Sequence, residues 1–189
     1  MADTGIDNLD EIIQGCLRKK EKSQEMLYKR FFGYALRVAL IHNRNRDNAL
    51  EIVNDSFVKV FNQIGRYDTS LPFKSWLSKI VINTSIDKFR TNNRNLKYDV
   101  EETFLVPDDS PGIVSHLMAQ DILRLLNRLS EIQRLVFSLY EIEGYSHDEI
   151  SSMLRIPENT SRVYLVRAKK RLRELFQIYF NTIYEKFGN

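Results

Sequence analysis

The chain has 189 residues, 43% of them hydrophobic and 28% charged, which is globular composition with apolar material for one core or two small ones and excludes disorder throughout. A net charge of +3 and a pI near 8.9 are only mildly basic, so a nucleic-acid role depends on where the cations cluster. One cysteine, three scattered histidines, no phosphate loop and no metal-ligand spacing exclude an intrachain disulfide, a CxxC zinc site and an assembled catalytic constellation; the expectation is no enzyme, no cofactor and no metal.

The N-terminus, MADTGIDNLDEIIQ, lacks the pattern of a signal peptide, and no apolar run approaches membrane-spanning length, so a cytoplasmic protein is expected. Residues 7 to 43 read as two helices. Asp7 or Asp10 caps the first, whose apolar positions Leu9, Ile12, Ile13, Cys16 and Leu17 keep helical spacing, with Cys16 a small core residue. From Ser23 the second carries a core stripe of Leu27, Phe31, Tyr34, Val38 and Ile41, and ends at a solvated His42. Asp47 caps the third helix, DNALEIVNDSFVKVFNQI, which buries Ala49, Val53, Phe57, Val60, Phe61 and Ile64. Its outer stripe of Glu51, Asp55 and Lys59 is either a solvated face with an ion pair worth a few tenths of a kcal/mol or a docking surface for a basic partner helix.

The loop GRYDTSLPF follows, with Tyr67 placed to stack an unpaired base and Phe73 and Trp76 more suited to anchoring a core. The helix from Phe73 to Arg94 sets Leu77, Ile80, Val81 and Thr84 on one side and Lys79, Asn83, Arg90 and Arg94 on another, at about 100° per residue. One side packs; the other is a solvated face or a surface for single-stranded or melting DNA.

Residues 95 to 112 change character, with five acids against Lys97 and with Pro107, Pro111 and Gly112, and read as a domain boundary. This flexible acidic linker is a solvated tether or the occupant of a channel built for nucleic acid. Residues 113 to 187 read as a helical bundle. Val114, Leu117, Met118, Ile122, Leu125 and Leu126 mark one helix, and Ser130 with Gln133 forms a capping box opening a helix that Gly144 stops. A second box, Ser146 with Glu149, opens a short helix; a tight connection and Pro157 then lead to a basic helix. Two helices across a short turn, the second basic, are the signature of a helix-turn-helix.

Between Arg155 and Arg173 lie seven cations and one acid, Glu158. Thr160, Ser161, Arg162 and Tyr164 are placed to reach base edges, although Thr160 and Ser161 could instead cap or pack; Arg167, Lys169, Lys170 and Arg171 suit phosphates, with Arg155 in the turn. His147 reads as a first-turn polar residue and His116 as a surface one.

The motifs DNALEIVNDSFVKVF, FKSWLSKIVINTSIDKFR and LSEIQRLVFSLYEIEGYSHDEISSMLRIPENTSRVYLVRAKKRL, in that order, resemble the extracytoplasmic-function group of bacterial sigma factors over about residues 10 to 95 and 115 to 175. The resemblance implies an all-α protein of two small helical domains: residues 1–94 for core polymerase docking and −10 melting, the linker 95–112, and residues 113–189 with the −35 helix-turn-helix and a C-terminal helical extension. It implies that Glu51, Asn54, Asp55 and Lys59 dock on the coiled coil of the largest RNA polymerase subunit. It implies that Tyr67, Lys79, Asn83, Asp87 and Arg90, with Lys74 and Arg94 beside them, capture a flipped base of the −10 element. The linker would thread the polymerase cleft, the C-terminal domain would touch the polymerase flap, and an anti-sigma factor would be a further partner. Arg155 stands where the family commonly has glycine, which raises the question of a positive φ, and Val163 and Tyr164 replace the usual polar residues. Either the −35 site is an unusual sequence or an additional recruiting factor supplies targeting. The competing reading is a stand-alone helix-turn-helix repressor or activator, for which the N-terminal half offers no ligand pocket.

Overall fold

The computed structural model describes the backbone of residues 9–92 and 117–187 and the side chains of residues 9–92 and 121–178. It is all-α, with no strand among the described residues. The helices are α1 (Leu9–Leu17), α2 (Glu21–His42), α3 (Arg46–Gln63), α4 (Phe73–Asn92), α5 (Leu117–Leu126), α6 (Glu131–Phe137), α7 (His147–Leu154) and α8 (Glu158–Phe187). The chain divides into two compact units: α1, α3 and most of α2 and α4 form the first, and α5 to α8 with the short segment Ile41–Arg44 form the second.

In the first unit, α1 closes with Lys19 in the left-handed region, at φ 56°, and α2 turns back so closely that a Cβ on Gly15 would lie 2.0 Å from the Ser23 hydroxyl oxygen. Gly15 is therefore a steric requirement of the α1–α2 crossing. The N-cap of α3 is Asn45, whose side-chain oxygen accepts from the amides of Asp47 at 2.7 Å and Asn48 at 3.1 Å; the Asp47 cap expected from sequence is displaced by two residues, and Asp47 serves instead as a first-turn acid. Leu27, Ile52, Val53, Val60, Leu77 and Val81 are fully buried at the centre. A chain of aromatic contacts runs beside them, with Phe31 on Phe73 at 4.6 Å and Tyr28 on Phe57 at 4.7 Å between ring centres. Cys16 is buried as well, and that burial pushes its thiol pKa up.

Helix α4 is buried more widely than its sequence stripe indicates. Ile82, Ile86 and Phe89 are covered as well as Leu77, Ile80, Val81 and Thr84. The hydroxyls of Thr84 and Ser85 are satisfied inside the core by donating to the carbonyls of Ile80 (2.8 Å) and Val81 (3.0 Å). What is left to solvent over the middle of the helix is a narrow strip carrying Lys79, Asn83 and Asp87.

In the second unit, Leu126, Leu129 and Ala168 pack with Phe137 and Leu172, and Leu139, Ile150 and Leu154 complete the core. Both expected capping boxes form, Ser130 with Gln133 and Ser146 with Glu149. The helix opened by Ser130 is not uniform: α6 gives way to a π-helical turn over Ser138–Ile142 before Gly144, at φ 78°, ends it. His42, expected to be solvated, is 1% exposed, with Nδ1 2.8 Å from the Ser138 hydroxyl within this unit. Arg134 is also buried, bonded to the Asn127 side-chain oxygen, and burial lowers its guanidinium pKa to about 10, which leaves it charged.

The turn between α7 and α8 answers the question posed by Arg155. Its backbone is left-handed, φ 57° and ψ 45°, and the Ser151 hydroxyl donates to the Ile156 carbonyl at 2.7 Å to hold the turn. A non-glycine residue there is held at a cost of about 1 kcal/mol or more. Arg155→Gly should therefore raise the urea-unfolding free energy of the protein by about 1 kcal/mol; no gain would show that the Arg155 side chain offsets the strain.

Candidate nucleic-acid interface

The strip on α4 presents an ammonium (Lys79), an amide (Asn83) and a carboxylate (Asp87) at four-residue intervals, so the three side chains stack along one line of the helix. Arg90 lies half-buried at its end, and Arg94 falls outside the described residues. Lys74 is exposed at the start of the helix, its ammonium 5.6 Å from the centre of the Tyr34 ring. Tyr67 stands in an aromatic trio with Phe73 (5.3 Å, edge-on) and Trp76 (5.2 Å), and its hydroxyl donates to the Leu71 carbonyl at 2.5 Å. The ring is thus held by its neighbours rather than projecting from a loose loop, and burial raises the phenol pKa, with Asp10 and Asp68 adding to the shift.

On α3, Glu51, Asn54 and Asp55 are exposed and Lys59 is half-buried. The ion pair expected within this stripe, Asp55 with Lys59, gives way to two pairs with α4: Glu51 pairs with Lys88, and Lys59 Nζ lies 3.1 Å from Asp87. Asn54 accepts from the Tyr28 hydroxyl at 3.0 Å. Lys88 was not singled out from the sequence, because its partner lies far along the chain and no local spacing signals the pair.

In α8, helical phase divides the expected DNA-contacting residues. Ser161 and Tyr164 lie on the buried side with Leu165 and Ala168, and are 0% and 5% exposed. That corrects the base-edge position expected of Tyr164, and of the two readings open for Ser161 it is packing that holds: both share the face that packs on the core. The Ser161 hydroxyl is 2.9 Å from His147 Nδ1, and His147 in turn stacks on Tyr140, 4.5 Å between ring centres. Thr160 is half-buried. The outward side carries Arg162, Arg167, Lys169 and Lys170, with Arg171 half-buried and Arg155 exposed in the preceding turn. Arg162 is paired with Glu158, Lys169 with Glu141 of the π-helical turn at 2.6 Å, and Arg171 with Glu174 at 3.6 Å. Among the described residues Arg155, Arg167 and Lys170 form no ion pair.

His147 carries a pH dependence. Burial first, then the charge of Arg162, holds its pKa below the usual 6.5; Glu158 pulls the other way, and Lys169 adds a smaller lowering. The unfolded chain therefore takes up the proton first as pH falls. The contribution to stability is complete above about pH 6.5 and is lost as pH drops through the range below it. Replacement of His147 by glutamine should flatten the fall in stability between about pH 7 and 5.5, read from thermal unfolding against pH; an unchanged slope would assign the fall to other groups.

Residues 25–95 match the family model described as Sigma-70 region 2, and residues 119–172 the one described as Sigma-70, region 4. The chain is similar to the ECF RNA polymerase sigma factor SigM of Mycobacterium tuberculosis, at 26% identity over 84% of this chain and 79% of that protein. It is similar also to the RNA polymerase sigma factor CarQ of Myxococcus xanthus, at 30% identity over 70% of this chain and 76% of that one. Among solved structures, it aligns over 82% of its length with 96% of the sigma factor RpoE from the RpoE–NepR co-crystal structure of Bartonella quintana, at 21% identity and a TM-score of 0.47.

Proposed function

Because the chain belongs to the extracytoplasmic-function group of the sigma-70 family, and so directs RNA polymerase to promoter DNA to initiate transcription, we propose a division of that work among its surfaces. The outer face of α3, through Glu51, Asn54 and Asp55, docks on the coiled coil of the largest polymerase subunit. The α4 strip of Lys79, Asn83 and Asp87, with Tyr67, Lys74, Arg90 and Arg94 around it, receives the −10 element and captures its flipped base. The outward side of α8, with Arg155, reads the −35 element as the unit contacts the polymerase flap, and the acidic segment 95–112 joins domains 1–94 and 113–189 through the polymerase cleft. The setting is cytoplasmic and an anti-sigma factor is the regulatory partner, both on family grounds. Targeting needs no additional recruiting factor if holoenzyme alone initiates at specific promoters.

The observation that supports the melting role is the α4 strip itself: over the middle of a helix buried on most of its circumference, the side chains left exposed are an amide able to read a base edge and charged groups beside it. Asn83 is a cleaner probe than Tyr67, whose loss would also disturb the Phe73–Trp76 packing. Asn83→Ala should leave core binding unchanged and slow open-complex formation on a supercoil-free promoter by roughly 5- to 150-fold, the equivalent of about 1–3 kcal/mol for one lost base-edge contact. Unchanged permanganate reactivity of the −10 thymines would remove Asn83 from the melting site.

A further inference from the structure

The outward side of α8 holds an apolar feature among its cations. Val163 and Val166 are 45% and 66% exposed, although each is a β-branched hydrocarbon on a helix whose opposite side packs well. At about 100° per residue they fall on a ridge with Asn159 and Lys170, directly opposite the buried Ser161, Leu165 and Ala168. Flanking that ridge are Arg162, Arg167 and Lys169. A helix laid in a groove inserts the ridge opposite its buried face most deeply, so the two valines, near the start of the helix, fall where base edges are met and the flanking cations where phosphates are.

We infer that Val163 and Val166 are specificity-determining residues that read thymine methyl groups in the upstream promoter element, an inference that rests on the assignment of α8 to −35 recognition. Valine has no donor or acceptor, so against the amino and carbonyl groups of the major groove it leaves them dehydrated and unbonded; the thymine methyl is the apolar group available there. Residues three apart on a helix are separated by about 4.5 Å along its axis, close to the roughly 3.4 Å step between base pairs, which suits thymines at adjacent steps. The surrounding cations argue for DNA over an apolar protein partner, which would have to bury them without compensation.

The test uses reconstituted holoenzyme and a promoter library randomised upstream of a fixed −10 region, prepared once with thymidine and once with deoxyuridine, which lacks only the methyl group. Thymine should be enriched at one or two adjacent upstream positions in the first library and lose that enrichment in the second. On a selected promoter, thymine-to-uracil replacement at either position should weaken binding about fourfold for the parent protein, the worth of one buried methyl, and by less than about twofold for Val163→Ala or Val166→Ala at the position each reads. Equal enrichment in both libraries would overturn the inference while leaving −35 recognition standing. Absence of any selected upstream position would overturn both. Alanine variants that lose core affinity but keep the thymine preference would place the valines against polymerase and also overturn it.

Discussion

Reversing Arg167 and Lys170 together, to glutamates, should lower holoenzyme affinity for promoter DNA on the order of a hundredfold near physiological salt. It should also reduce the slope of log affinity against log salt by about two, since each phosphate neutralised contributes about 0.9. These cations are chosen because both are exposed and neither forms an ion pair among the described residues, whereas Arg162, Lys169 and Arg171 are each held by an acid. A cation already paired must release its partner before it meets phosphate, so its net contribution is smaller. Electrophoretic or fluorescence titration at several salt concentrations reads both quantities. An affinity loss with no change in slope would mean that the two side chains do not contact phosphate, and DNA binding would then have to be sought elsewhere on α8.

The second large effect is expected at Asp55. It is exposed on α3, and its neighbours Glu51 and Lys59 are paired with α4, which leaves its carboxylate the one of that stripe in no ion pair among the described residues. Asp55→Arg should weaken binding to core polymerase by roughly 30- to 1,000-fold, because like charges brought together at an interface cost several kcal/mol. The fold should keep its stability to within about 0.5 kcal/mol, as expected of an exposed substitution. Affinity for core measured with fluorescently labelled protein decides it; wild-type affinity in a protein with an unaltered unfolding curve would return the stripe to a solvated face.

What could be read from the sequence was whatever repeats locally. The core stripes of α2 to α4, both capping boxes and the helix-turn-helix follow from spacing and turn chemistry, whereas Leu17 and Ile122, which keep the same spacing, are 43% and 56% exposed. The failures share another cause. Tyr164 was assigned outward and Ser161 left between reading and packing because polar and aromatic side chains near a recognition helix start are plausible readers, yet phase against Leu165 and Ala168 puts both inside, where His147 satisfies Ser161. The cap of α3 moved to Asn45 because asparagine and aspartate compete closely for that position and only backbone geometry decides. Arg134 and Lys88 gave no local signal, since burial and long-range pairing are properties of the assembled fold. The π-helical turn at Ser138–Ile142 was equally invisible, as its residues suit an α-helix.

The two ion pairs between α3 and α4 run in opposite senses, acid to base through Glu51 and Lys88 and base to acid through Lys59 and Asp87. Their partners are eight residues apart on α3, about 12 Å along its axis, but adjacent on α4, so the two pairs tie one point near the end of α4 to two separate turns of α3. Each pair is exposed and individually weak, but two ties to separate turns restrain the lateral position of the end of α4 more than either does alone. The distance from the surface that would grip polymerase to the amide of Asn83 is thereby given a fixed gauge, so a change at either end is felt as positional error at the other.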